Sequence, residues 1–310
     1  MTDQTSSPVR VLVTGATGMQ GRPIVNALLA RGFQVRALTR QAEPGLPDSI
    51  EIAHGDLGDL PSLGRAFEGV ERAVLLLPLV FDRATVEGYA RNFATAAGEA
   101  GVKLVVFDTS APVPSEPVGV AAVDVKVAAA RVLAESGLPV ATVRPTIYLG
   151  NLAAPWTAPG IVADGTIAYP LAAAVRCSWI TWEDAAACVA AACADRSTAG
   201  ETFDVGGPEA LDGAGLADGF TKARGTEHRY AAVPLDAFEQ GLNGALGEPV
   251  GTEIAALYRW LSNEGAAHLD VTRGGRTNGA AALGVQPNDA SDWAAHVPWK
   301  ALVGGEASRE

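Results

Sequence analysis

Short apolar, β-branched runs alternate with longer segments of helical spacing over the first 145 residues of the chain. The runs are Val9–Thr14, Phe33–Thr39, Ile50–His54, Ala73–Leu77, Val102–Asp108 and Val140–Arg144. Between most of them lie Met19–Arg31, Leu60–Glu68, Arg83–Ala100 and Val118–Ser136, which carry helical periodicity. Alternation of this kind predicts βαβ units and a parallel sheet. The runs are nearly all apolar, as strands are when both sheet faces are covered. Gly32, Gly101 and Gly137 stand just past three of the helical segments, where helices commonly stop.

The texture changes after Arg144-Pro145. Residues 146–175 are rich in Pro, Gly and Ala and show no clear period. Beyond them the pattern predicts a strand over Arg176–Ile180, a helix over Trp182–Ala194 and a strand over Thr202–Val205. Helices are expected at Leu211–Arg224, Leu235–Leu242, Thr252–Ser262 and Asp289–Val297, and a strand at Glu227–Val233. The fold class expected is α/β: a doubly wound, mostly parallel Rossmann sheet with a smaller C-terminal α/β substrate cap. The expected organisation is a flexible tail at 1–8, a dinucleotide-binding domain at 9–150, an interleaved substrate-binding part at 151–303 and a second tail at 304–310. The C-terminal part is expected to cap the carboxyl ends of the parallel strands, where open α/β sheets bind ligands.

Composition narrows the function classes. Of 310 residues, 48% are hydrophobic and 19% charged, which excludes a disordered chain. The net charge of −12 argues against phosphate backbones and gives no attraction to anionic lipid, so neither nucleic acid nor membrane is an expected partner. Three cysteines make no disulfide framework, and with the four scattered histidines they complete no metal set. A reducing, cytoplasmic setting and a small-molecule substrate follow as expectations.

The chemistry is concentrated in Val11-Leu12-Val13-Thr14-Gly15-Ala16-Thr17-Gly18-Met19-Gln20-Gly21. It falls after the first strand and opens the first helix, where a phosphate loop must sit. Gly15 permits a tight turn, Gly18 lets the backbone approach a pyrophosphate, and Gly21 lets the helix pack closely on the sheet. Amide groups and the helix dipole then face the anion. An acidic residue about 20 positions past the glycines would bind the ribose of NAD. The second strand instead ends Thr39-Arg40-Gln41, with no carboxylate until Glu43. Arg40, with Thr39 beside it, is placed to face a 2′-phosphate, so NADP(H) is the expected cofactor. The competing reading leaves Arg36 and Arg40 as solvated strand ends.

The G-x-x-G-x-x-G spacing resembles the short-chain dehydrogenase/reductase superfamily. Gly55-Asp56-Leu57 looks like its adenine-side loop, and Leu75-Leu76-Leu77-Pro78 like the strand end along the cofactor. The resemblance therefore implies cofactor contacts from Asp56, Leu57, Leu77 and Pro78, beside Thr17, Met19 and Gln20 of the glycine loop. Ser136-Gly137-Leu138-Pro139, Arg144-Pro145, Asn151, Trp179–Asp184, Ala282-Leu283-Gly284 and Trp293 are similar to the atypical, NmrA-like branch. Most of the superfamily uses Ser followed by Tyr-x-x-x-Lys. Ser110 matches the serine and Lys126 the lysine, but Ala122 stands where the tyrosine would be.

Lys126 is informative without the family. It is the sole basic residue between Lys103 and Arg131, in a helix otherwise rich in Ala and Val. Such a lysine suits bridging nicotinamide ribose hydroxyls; the alternative is a surface lysine pairing with Asp124 or snorkelling. An Ala-faced helix also suits packing on another helix, which leaves room for a homodimer. Tyr148 and Asn151 follow the sixth strand and are expected at the mouth of the site, Tyr148 as an alternative proton donor. Trp156, Tyr169 and Trp179 fall in the expected substrate cap. Two functions compete. One is an NADPH-dependent ketoreductase or enone/quinone reductase of a small, apolar, aromatic substrate. The other is a non-catalytic NAD(P)-binding sensor of the NmrA type, favoured by the missing tyrosine. Retained Ser110 and Lys126 favour the enzyme.

Overall fold

The computed structural model describes residues 8–303, so the tails expected at 1–8 and 304–310 lie, Pro8 apart, outside the described residues. The chain divides into two compact units. The first holds the chain up to Ser110 together with Asp124–Arg144 and Ala186–Phe203. The second holds Ala111–Val123, Pro145–Ala185 and the chain from Asp204 onward.

The first 145 residues fold as their pattern predicts. The elements run β1 (Arg10–Val13), α1 (Gly21–Ala30), β2 (Gln34–Thr39), β3 (Glu51–His54), α2 (Leu60–Phe67), β4 (Arg72–Leu76), α3 (Arg83–Glu99), β5 (Leu104–Asp108), α4 (Ala121–Glu135) and β6 (Val140–Pro145). There follow α5 (Ala158–Ala163), β7 (Thr166–Tyr169), α6 (Trp182–Ala194), β8 (Thr202–Val205), α7 (Gly213–Arg224), β9 (Arg229–Ala232), α8 (Leu235–Leu246), α9 (Val250–Leu261), α10 (Gly279–Ala282), α11 (Ala290–His296) and α12 (Trp299–Val303). The main sheet has the order β3-β2-β1-β4-β5-β6-β8, and the pairs from β3 across to β6 are parallel. The strand order reverses beside β1, the switch point at which such sheets bind ligands.

Burial explains the apolar strands. Val11–Val13, Ala73–Leu75 and Leu104–Phe107 are essentially inaccessible to solvent. On one face, Val125, Ala129 and Leu133 of α4 join Phe93 and Ala97 of α3, Leu63 and Phe67 of α2, and Phe107 of β5 in one apolar cluster. The rings of Phe67 and Phe93 meet edge to face at 5.1 Å. Arg36 departs from the reading as a solvated strand end. It is buried, donates to the carbonyls of Ala66 and Glu68 and pairs with Glu51 at 2.7 Å, so it ties β2 to β3 and the end of α2. Gly32, Gly101 and Gly137 all take positive φ at their helix ends.

In the second unit the pattern was harder to read. The aperiodic stretch contains a short 3-10 helix at Leu149–Ala153, then α5 and β7. β7 pairs in parallel with β9, whose first residue Arg229 lies opposite Thr166, to make a separate two-stranded sheet. A four-residue strand whose partner lies some sixty positions away leaves no local period. The strand expected over Arg176–Ile180 is not one. Cys177 exchanges both backbone bonds with Leu211, Ser178 donates to Leu269, and Ile180 bridges Tyr148, so successive residues bond to different segments and no ladder forms.

Candidate active site

The glycine loop is shaped by close contact. Gly15 has φ +64°, and a Cβ added at Gly21 would lie 2.0 Å from the Gly15 carbonyl oxygen. The loop closes through the Gly18 amide, which donates to Gly15 O at 3.0 Å. Thr14 locks it to the sheet: its hydroxyl donates to Leu76 O at 2.7 Å and accepts from Leu76 N at 2.8 Å. Arg22 donates to the carbonyls of Thr17, Pro44 and Gly45, joining this loop to the one after β2.

A cleft opens beside the loop. Thr14, Gly15, Thr17, Thr39, Arg40, Asp56, Leu57, Leu77 and Pro78 line it, with Leu38, Gln41 and Tyr89. Most of the expected cofactor residues are thus brought together in the first unit. Gly18, Met19, Gln20 and Gly21 continue the loop, and Met19 is 70% exposed. The Arg40 side chain is 76% exposed and pairs with Asp56 at 3.3 Å. An exposed pair of this kind is weak and readily exchanged. Asp56 is held in turn by the Gly58 amide at 2.7 Å, and Asn92 of α3 donates to Leu57 O. Gln20 Oε1 is buried without a hydrogen-bond partner. The side-chain-free cradle and the guanidinium at the lip fit a phosphorylated dinucleotide.

The carboxyl end of β5 holds a second group. Asp108 is 2% exposed, between Leu76 of β4 and Val143 of β6. Its Oδ1 accepts the Ser110 amide at 2.8 Å. Ser110 alone among the described non-glycine residues has positive φ, +60°. Held strain in a serine at a strand end marks a functional position. Burial pushes the Asp108 carboxyl up to about 6, while the Ser110 amide and the Lys126 charge oppose the rise. Burial also pulls the half-buried Lys126 amine down to about 8, opposed by the Asp108 charge. Titratable groups pushed toward neutrality by burial recur at functional sites.

Sequence reading missed Asp108 and Tyr89. A carboxylate ending a strand of Leu, Val and Phe was the available signal for the first. Tyr89 lies inside α3, where periodicity does not reveal that a half-buried ring borders a cleft. Ala122 is buried and carries no proton to give.

The second unit uses its expected substrate residues differently. Asn151 donates to the Tyr169 hydroxyl at 3.1 Å, and that hydroxyl bonds to Tyr258. Trp179 meets Tyr169 edge to face at 5.1 Å, so three of the named residues form one cluster. Tyr169 and Trp179 are buried there, and burial drives the Tyr169 hydroxyl well above the usual phenol range. Tyr258, which pattern did not single out, is pushed up to about 12 by burial. Trp156 stands apart, 67% exposed. Tyr148 is buried with its ring 6.4 Å from that of Trp182. Among the described residues no His, Cys, Asp and Glu group could hold a metal ion, and no helix is long and apolar enough to cross a membrane.

Comparison with known proteins agrees with this layout. The chain is 30% identical over 250 residues to the NAD(P)H azoreductase of Xenophilus azovorans, covering 77% of this chain and 82% of that one. It is 26% identical over 246 residues to Quinone oxidoreductase 2 of Escherichia coli, covering 78% and 83%. A solved NADPH complex of the Escherichia coli NADPH-dependent quinone oxidoreductase superposes with a TM-score of 0.72 at 22% identity, over 92% of this chain and 99% of that one. The solved negative transcriptional regulator NmrA, in complex with NADP, superposes with a TM-score of 0.73 at 19% identity, over 94% and 96%. The NmrA-like family model matches residues 8–290, nearly the whole chain, and the protein is a member of that family.

Proposed function

We propose that this protein is an NADPH-dependent reductase of a small, conjugated aromatic acceptor such as a quinone, an azo compound or an aromatic ketone. The observation that carries the proposal is the strained, charged group at the end of β5. A serine held at φ +60° beside a buried carboxylate is the kind of strained, perturbed group that recurs where chemistry is done. The names of the azoreductase and quinone oxidoreductase relatives support the acceptor class.

The amides of the glycine loop would hold the pyrophosphate, Arg40 and Thr39 would hold the 2′-phosphate, and Asp56, Leu57, Leu77 and Pro78 would flank the rest of the nucleotide. The bound nicotinamide supplies the hydride. Ser110 orients the acceptor oxygen or nitrogen by a hydrogen bond. Lys126, charged below about 8, holds ribose hydroxyls and carries a proton that reaches the substrate through water. A substrate with its own neighbouring phenol passes that proton itself. Asn151, Trp156, Tyr169 and Trp179 lie in the second unit, where Asn151, Tyr169 and Trp179 form one cluster.

The NmrA likeness supports a second reading, a sensor that binds NADP without turnover. One experiment separates them. Purified protein with NADPH is offered quinones, azo dyes and aromatic ketones, and loss of NADPH absorbance is followed. Turnover with at least one acceptor, modestly lowered in Ser110→Ala, is expected. Tight NADPH binding with no oxidation across the panel overturns the reductase reading in favour of the sensor.

A further inference from the structure

Asp108 has no place in the family resemblance drawn from the sequence, yet it is the most buried charged group of the β5 end. Its carboxylate is 2% exposed and points back along the chain to the amide two residues on. That bond closes an Asx turn. The turn places Ser110 in the left-handed region, which a β-carbon ordinarily disfavours. Thr109, inside the turn, is pinned by its own amide to Val143 O at 3.0 Å, so the turn is fixed on the β6 side as well. On the other side, α4 brings up Lys126, whose charge acts on the carboxylate. Leu76 and Val143 occupy the same level of the neighbouring strands and bring no charge.

We propose that Asp108 is a positioning residue of this site: its carboxylate holds Ser110 in the left-handed turn. The inference rests on the reading of Ser110 as an active-site residue. The carboxylate oxygen acts as an acceptor toward the Ser110 amide. Asp108 makes no contact with substrate and transfers no proton to it.

Two substitutions test the turn. Asp108→Asn keeps an oxygen acceptor for the Ser110 amide, and Asp108→Ala removes it. With the backbone isotopically labelled, the φ-dependent coupling of Ser110 is followed by NMR without cofactor or substrate. Asp108→Asn is expected to keep the wild-type coupling, and Asp108→Ala to move it to that of an ordinary negative φ. In Asp108→Ala, kcat with NADPH then falls below that of Asp108→Asn, because Ser110 leaves its turn. An unchanged Ser110 coupling in the folded Asp108→Ala protein, or equal kcat for the folded Asn and Ala variants, overturns the turn role. If the coupling changes but no acceptor is reduced by the wild type, the reductase reading fails and the positioning role stands. Circular dichroism confirms folding, and Asp108→Val, which fills the space without an acceptor, takes the place of Ala if Ala does not fold.

Discussion

The glycine cleft and β5 end of the first unit and the asparagine and tyrosine clusters of the second treat their polar side chains in opposite ways. In the first, the groups around the cleft are left with something to do: a bare glycine cradle, an exposed arginine at its lip, a buried Gln20 oxygen with no partner, and a carboxylate and an amine that burial pushes toward neutrality. In the second, named polar groups are satisfied from within. Asn278 donates to the carbonyls of Gly206 and Gly207 and caps α10 through Ala280. Asp184 accepts three bonds from Asn288. Asn151, Tyr169 and Tyr258 bond to one another. Strain and shifted protonation, rather than an unpaired atom by itself, set the first place apart, because Thr166 Oγ1, Arg224 Nε and His228 Nε2 of the second unit are also buried without a hydrogen-bond partner.

Substitutions test that contrast. Gly21→Ala drives a Cβ into the Gly15 carbonyl, so the loop must rebuild. It is expected to weaken NADPH by roughly a hundredfold or more, beyond the cost of ordinary overpacking, by titration calorimetry on the folded protein. Unchanged affinity would show that the cradle is not the nucleotide site. Arg40→Ala removes a charge-assisted contact worth about 1.5–3 kcal/mol. NADPH affinity should fall by ten- to a hundredfold on that basis, about as the constant implies, while NADH affinity stays level; parallel losses for both would place Arg40 elsewhere. In the second unit, Asn278→Ala should cost about 2 kcal/mol of stability in a denaturant titration and leave NADPH affinity intact, because it strands backbone groups.

The smallest effects are the most discriminating. Tyr169→Phe removes one hydroxyl from the Asn151–Tyr258 chain and should cost about 1 kcal/mol of stability. If it instead lowers kcat with no change in thermal midpoint, Tyr169 acts on substrate and the contrast between units fails there. The buried pair of the first unit should do the reverse. Asp108 is held above the ordinary carboxylate range, so its contribution to stability is full at low pH and is lost as pH rises through about 6. Lys126 is held below the ordinary amine range, so its contribution is full at high pH and is lost as pH falls through about 8. Between these values both are charged and the pair costs stability. Replacing both, Asp108→Asn with Lys126→Met, should therefore raise the thermal midpoint at pH near neutrality, by roughly 1 kcal/mol of stability, because two desolvated charges are removed. A fall in the midpoint would make the pair structural.

Much of the first unit was legible because its signals are local. Apolar runs report strands buried on both faces, glycines report helix stops, and the loop from Gly15 to Gly21 reports itself by spacing. What was hidden depends on distant partners. Arg36 reads as a strand-end cation until the carbonyls of Ala66 and Glu68 come to meet it. Arg176–Ile180 has strand composition but bonds to three different segments. β7 exists only because Arg229–Ala232 lies beside it. Asp108 could have been noticed as the single acid in an apolar strand, but its meaning needed the Ser110 backbone angle.

The interleaving of the chain also bears on how the protein is made. The first unit includes Ala186–Phe203, so it lacks a segment until Phe203 has been synthesised. At about 5–20 residues per second, translation takes on the order of 5–20 s to run from Ser110 to that point. During this interval the first five strands are present, while β8, the edge partner of β6, is not. An open strand edge is a site for wrong pairing. A nascent chain stalled after β6 should therefore be more prone to capture by chaperones than one stalled after β8.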